Sequence, residues 1–161
     1  MIPVKPLVPA NFKVPAGLET KRFRLRMLTV NDVVKDYDAV MSSVDHLKGI
    51  FEKHDTWPAA NLSLEQDLID LGWHQKEFQK RSSFAYTVMN LDESTCLGCV
   101  YIYPSRELSY DAVVYLWART SELKNGLEDE LFDAVKNWIA KIWPFKNVAY
   151  PGRDISWDDW E

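Results

Sequence analysis

Cys96 and Cys99 stand in a C-x-x-C spacing, the first place in the chain to look for chemistry. As a structural metal site the pair lacks ligands, because zinc takes about four and no second cysteine pair exists. The histidines, His46, His54 and His74, lie upstream without ligand spacing, so no metal is expected. A redox pair would sit at a helix start, where the dipole lowers the thiol pKa. Instead Cys96-Leu-Gly-Cys-Val-Tyr-Ile-Tyr103 is a β-branched and aromatic run that reads as a strand. Residues three apart on a strand point to opposite faces, so two inert, separately buried thiols are expected. Arg22, Arg24 and Arg26 form the next candidate, alternating with Phe23, Leu25 and Met27. A period of two makes this a half-buried strand, and its basic side reads as a solvated face rather than an anion site.

Composition limits what these residues can serve. The 161 residues are 47% hydrophobic and 27% charged, which suits one soluble globular domain and excludes a disordered or low-complexity chain. A net charge of −5 argues against a nucleic-acid binder. No apolar run approaches the ~18 residues of a membrane helix. Pro3, Pro6 and Pro9 around Lys5 leave no room for a signal-peptide core, so no membrane and a cytoplasmic location are expected.

The elements follow from periodicity. Residues 1–17 read as an extended, proline-rich lead-in, and 18–161 as a single domain. Thr29-Val-Asn-Asp32 is a helix-start pattern, and Val33, Tyr37, Val40 and Met41 continue it. A second short helix is expected from Leu47 to Phe51, and Trp57-Pro58 breaks the chain. Ser63-Leu-Glu-Gln66 opens a longer helix whose stripe reads Leu64, Leu68, Leu71 and Phe78. His74 is expected on that helix's surface. Phe84–Met89, Leu97–Tyr103 and Ala112–Ala118 read as three consecutive strands, the last buried on both faces. A strong helix follows, with an apolar stripe of Leu127, Leu131, Val135, Trp138, Ile139 and Ile142. Asn147–Tyr150 reads as a last strand, and Trp157-Asp-Asp-Trp160 as a tail that folds back or meets a partner. The sum is an α+β fold.

The order of these elements resembles the GNAT superfamily of acyl-CoA-dependent N-acetyltransferases. Glu19-Thr-Lys-Arg-Phe-Arg-Leu-Arg-Met-Leu-Thr-Val-Asn-Asp32 is similar to the first strand and helix start of the branch that acetylates ribosomal proteins and small amines. Phe84–Met89 followed by Leu97-Gly98, and Ala112–Arg119 followed by Gly126-Leu127, resemble its later strands and its cofactor-holding loop. The resemblance implies a mixed, mostly antiparallel central sheet flanked by helices. It implies acetyl-CoA as co-substrate, and a small-molecule amine or protein N-terminus as acceptor. Backbone amides of Leu116, Trp117 and Ala118 would align the pantetheine and polarise the acetyl carbonyl. Those of Lys124, Asn125, Gly126, Leu127 and Glu128 would hold the pyrophosphate at a helix N-terminus. Against the family's Q/R-x-x-G-x-G/A loop, Leu123-Lys-Asn-Gly126-Leu-Glu128 keeps Gly126 only. The family's strand glutamate falls on Val113, and its usual tyrosine lies on a helix beyond the penultimate strands, which this chain ends too early to complete. Tyr115 and Tyr150 are the remaining candidates for acid–base work. Trp57, Trp73 and His74 fall in the acceptor region. The shortened end leaves a sheet edge that a second copy would cover as a homodimer. The alternative is a non-catalytic binding or regulatory protein on the same fold.

Overall fold

Nearly continuous burial along the three longest strands requires cover on both faces of the sheet, and the helices supply it. The computed structural model describes residues 5–160, so Pro3 lies outside them. The strands are β1 (Gly17–Glu19), β2 (Arg24–Met27), β3 (Phe84–Met89), β4 (Cys96–Pro104), β5 (Ala112–Ala118) and β6 (Val148–Ala149). The helices are α1 (Val33–Met41), α2 (Val44–Leu47), α3 (Leu64–Gln79), α4 (Leu127–Ile142) and α5 (Trp157–Trp160). One six-stranded sheet runs in the order β1-β2-β3-β4-β5-β6. All neighbours are antiparallel except β5 and β6, which are parallel and meet only at Ala112–Val148 and Val113–Ala149. The fold is α+β, a mixed sheet flanked by helices.

One face of the sheet packs Tyr86, Val88, Val100, Ile102, Val114 and Leu116 against α4 and the lead-in's Val8. The other packs Ala85, Cys99, Tyr101 and Trp117 against α1, Leu47 and Leu71 of α3. The lead-in is tied down through its carbonyls. Arg81 Nη2 donates to Pro9 and Phe12, and the Tyr86 hydroxyl donates to Pro15 at 2.8 Å. Thr29 and Asp32 cap each other's backbone groups in a turn of 3-10 helix before α1. No helix among the described residues is long and apolar enough to cross a membrane.

Several sequence expectations are corrected. The short helix lies at Val44–Leu47, before the Leu47–Phe51 stretch, whose Gly49 takes a left-handed conformation that breaks it. On α3, Leu64 and Leu68 are exposed, and the face turned inward carries Asp67, Leu71, His74 and Phe78. His74 is therefore half-buried on the inward side of α3, its ring 5.4 Å from Tyr101. Ile142 drops out of the α4 stripe and is exposed. The basic stripe is solvent-facing as expected, and each arginine is ion-paired there, Arg22 with Glu130, Arg24 with Glu19, and Arg26 with Asp32 and Glu93.

The cysteines need the largest correction. The β3–β4 register pairs Val88 with Gly98 but Met89 with Cys96, leaving Leu97 as an extra residue. This bulge reverses the alternation, so Cys96 and Cys99 both face the α1–α3 layer. Gly98 is required at the same place, because a Cβ there would lie 2.0 Å from the Trp117 carbonyl oxygen.

Candidate functional site

The face shared by α3 and the β4–β5 tyrosines opens into a groove of about 1260 Å³. Its floor is aromatic because β4 and β5 place Tyr101, Tyr103 and Tyr115 at alternate positions on one side. Phe51 stands edge-on to Tyr101 at 5.0 Å and to Tyr115 at 5.3 Å, and Trp57 packs on Phe51 at 5.5 Å. The α3 wall contributes Asp67, Asp70, His74 and Glu77, which lie near one helical face at i, i+3, i+7 and i+10. Trp157 and Trp160 of α5 reach the groove from the tail, with Trp160 5.7 Å from Tyr110. Burial lowers the affinity of His74 for a proton, with Asp70 and Glu77 opposing.

Asp36 of α1 and Asp67 of α3 are nearly fully buried where this groove deepens. Burial, and then the neighbouring Asp67 carboxyl, hold the Asp36 carboxyl well above the usual carboxylate range. Asp67 is also raised, first by burial. Two neighbouring buried carboxyl groups cannot both ionise cheaply, so each disfavours the charge of the other.

The cofactor residues expected from the sequence lie around the far end of β5. Past Val113 this strand has no strand partner on its β6 side among the described residues, and side chains take the partner's place. Arg153 Nη2 donates to the Leu116 carbonyl at 2.7 Å, and Ala118 N–H donates to Glu128 Oε1 at 3.0 Å. The same carboxylate oxygen meets His46 Nε2 at 2.7 Å and lies 3.8 Å from Arg153. Burial alone would raise the Glu128 pKa. The hydrogen bonds from His46 and Ala118 and the Arg153 charge outweigh it, so the carboxylate is held below its ordinary range. Trp117 is fully buried and donates its indole N–H to the Tyr101 hydroxyl.

The loop residues are placed as follows. Lys124 and Asn125 close a 3-10 segment at Thr120–Asn125. Asn125 Nδ2 donates to Glu122, and Gly126 takes φ +73° with its N–H on the Leu123 carbonyl. Only a residue without a Cβ adopts that conformation easily, and nothing lies within 4 Å of where the Cβ would be. Leu127 is buried. The first α4 amides have no intrahelical acceptor, but Glu128, Asp129 and Glu130 surround them with negative charge.

Tyr115 and Tyr150 are not brought together. Tyr115 faces the groove, and Tyr150 is buried in the opposite layer with its ring 5.3 Å from Phe132. Burial raises both phenols. Sequence reading missed His46, Arg153, Asp36 and Asp67. Asp36 carried a usable signal, since it stands between Val33 and Val40 on the apolar face of α1.

This sheet and its helices define a GNAT-type acetyltransferase fold. The solved structures it resembles include the ribosomal-protein-S5-alanine acetyltransferase of Vibrio fischeri, at 16% identity and TM-score 0.62, covering 79% of this chain and 68% of that one. An acetyltransferase of Salmonella typhimurium that modifies the N-terminal serine of 50S subunit protein L7/L12 matches at 13% identity and TM-score 0.59, over 76% and 66% of the two chains. The microcin C7 self-immunity acetyltransferase, in complex with acetyl-CoA and AMP, matches at 12% and TM-score 0.59, over 80% and 70%. No protein-family model and no curated protein matches the sequence.

The fold implies acetyl-CoA, and the residues as placed do not fit it. Of the β5 amides that the resemblance assigns to the cofactor, Ala118 N–H is already bonded to Glu128, and Arg153 occupies the neighbouring Leu116 carbonyl. A pyrophosphate at the α4 N-terminus would meet the acidic first turn of Glu128, Asp129 and Glu130, of which Glu128 and Glu130 are engaged by His46 and Arg22.

Proposed function

We propose that this chain is a GNAT-fold binding protein that takes its ligand in the groove between α3 and the β4–β5 tyrosines, without acetyl-CoA. The observation that carries this reading is the Glu128 carboxylate seated on the Ala118 amide. It is a covalently tethered anion, held by a hydrogen bond from His46 and by Arg153, in the gap beside β5 where the resemblance puts the cofactor. The groove adjoins that gap across Tyr115 and Trp157 and is open, with an aromatic floor and acidic wall suited to a ligand that is released unchanged.

A second reading is supported by the open space at Gly126 and by the acetyl-CoA complex of a protein with this fold. In it the chain is an N-acetyltransferase acting on a protein N-terminus or small amine, and Glu128 gives way to the cofactor. Calorimetric titration of acetyl-CoA into wild type and Glu128→Ala separates the two. No heat from wild type is the expected result. Saturable wild-type binding overturns the binding-protein reading. Binding by the variant alone identifies Glu128 as what closes the cleft.

A further inference from the structure

Helix α3 turns one face toward the groove, and its opposite face does not have the polar surface of a solvated helix. Leu68, Ile69 and Trp73 are 40%, 55% and 66% exposed there, and Val30, at 37%, stands beside them from the 3-10 turn before α1. Glu65 lies in the first turn of α3 and Lys76 in its last. Among the described residues neither has an ion pair or a side-chain hydrogen bond. Gly72 sits between them in mid-helix, where glycine is less stable than alanine. Nothing among the described residues asks for it, since a Cβ would meet only Val30 Cγ1, at an ordinary 3.7 Å. A glycine in such a place suits the close approach of another surface. At about 100° per residue, Glu65, Ile69, Gly72 and Lys76 fall within about 60° of one another and form one line down the helix. Leu68 and Trp73 flank that line on its two sides.

We propose that this outer face of α3 is a homodimer interface, in which two copies pair their α3 helices antiparallel across a two-fold axis. With the axis passing between Asp70 and Leu71, Ile69 of one copy meets Gly72 of the other, and Glu65 of one meets Lys76 of the other. A single register makes both matches, and the two-fold repeats each of them. Ile69 fills the space that the missing side chain of Gly72 leaves beside Val30, and the two Glu65–Lys76 pairs close the ends. A parallel pairing would set Glu65 against Glu65 and Lys76 against Lys76, so the charges select the antiparallel one. The surface is distinct from the sheet edges, and the inference holds whichever ligand the groove takes. Trp73 also borders the groove, so the mouth of each groove lies beside the seam.

One helix pair with its flanks is at the low end of interface sizes, so a dissociation constant on the order of 10 μM is expected. Sedimentation velocity of the full chain, over roughly 1–100 μM, is expected to show monomer giving way to dimer. Ile69→Asp is expected to weaken the dimer at least about tenfold. Glu65→Lys and Lys76→Glu should each weaken it about threefold to tenfold, because each sets like charges face to face. The chain carrying both reversals should recover the wild-type affinity, which a merely local effect on α3 would not do. An equimolar mixture of the two single variants should also dimerise better than either alone. Circular dichroism melting confirms that each variant is folded. A single monomeric species over the whole range overturns the proposal. Unchanged affinity in a folded Ile69→Asp overturns it too, and moves the contact to another surface such as the β1 edge. Single charge reversals without effect, or a double reversal that fails to recover affinity, overturn the antiparallel pairing.

Discussion

Replacing Glu128 by alanine is a direct test of how the β5 edge is held. The sequence alone allows Glu128 only a helix-dipole role, which is worth a few tenths of a kcal/mol. In the structure its side chain is 18% exposed, accepts hydrogen bonds from Ala118 N–H and His46 Nε2, and lies 3.8 Å from Arg153 Nη2. Hydrogen bonds to a charged group contribute about 1.5–3 kcal/mol, and the alanine variant also leaves the buried Ala118 amide without an acceptor. A loss of about 2 kcal/mol is expected, or roughly 4–8 °C in melting temperature for a domain of this size. Glu128→Gln keeps an acceptor for the amide and gives up the charge, so about half that loss is expected. The sign with pH follows from the depressed carboxylate. Its contribution is fully present above the ordinary glutamate pKa of 4.5 and is lost as pH falls through the lower folded value. Melting curves of wild type and variant, followed by circular dichroism from neutral pH downward, should therefore converge in acid. An alanine variant within about 0.5 kcal/mol of wild type at neutral pH, or a gap that persists in acid, would refute the reasoning.

The other expectations concern separate parts of the molecule. Asp36 has the opposite sign from Glu128: its raised folded pKa gives stability that is full below the ordinary value of 3.8 and lost as pH rises. Asp36→Asn should therefore match wild type in acid and exceed it in melting temperature at mildly alkaline pH, and no gain there would sink the buried-pair account. Trp157 and Trp160 are both half-buried, so ending the chain after Ser156 should cost about 2 kcal/mol, some 4–8 °C. A melting curve that does not move would leave the tail without a role in stability. Burial pushes the Cys96 thiol up to about 12 and Cys99 higher than its ordinary range, so neither should react with Ellman's reagent until the protein unfolds. Rapid labelling of one thiol in native protein would contradict their placement.

Strands β2 to β6 and the two long helices were legible because their signals are local, whereas β1, Gly17–Glu19, fell at the end of the stretch read as lead-in. Phe84–Met89 and Ala112–Ala118 are apolar, β-branched or aromatic over their whole lengths, and the structure keeps both runs as strands buried on two faces. The α4 stripe was readable for the same reason, apart from Ile142 at its last position. Failure came where polar residues went inside and apolar ones stayed out. On α3 the leucines at 64 and 68 suggested the inward face, yet that face carries Asp67 together with Leu71, His74 and Phe78. Hydrophobicity alone assigns such a helix to the wrong rotation, because a buried carboxyl turns inward where no apolar pattern announces it. The cysteines failed for a geometric reason. One extra residue, Leu97, turns a period of two into its opposite, and nothing in Cys96-Leu-Gly-Cys99 marks where the bulge falls except the glycine that lets β4 approach Trp117.

The closed edge of β5 was beyond local reading altogether. His46 meets Glu128 across 82 residues, and Arg153 meets Leu116 across 37. Each partner is an ordinary surface-type residue in its own segment. The loop Leu123-Lys-Asn-Gly126-Leu-Glu128 showed only that a small residue had become an acid, which reads equally as repulsion of phosphate or as indifference to it. Three-dimensional placement adds a third meaning. A glutamate at the second position of α4 has the reach to turn back onto the Ala118 amide, and the parallel β6, paired with β5 at only two positions, leaves the gap that it fills. Had β6 continued alongside β5, Ala118 N–H would face strand backbone and Glu128 would point to solvent. The short β6 and the inward Glu128 are therefore one arrangement: the gap supplies an unpaired amide, and the side chain satisfies it without help from any ligand.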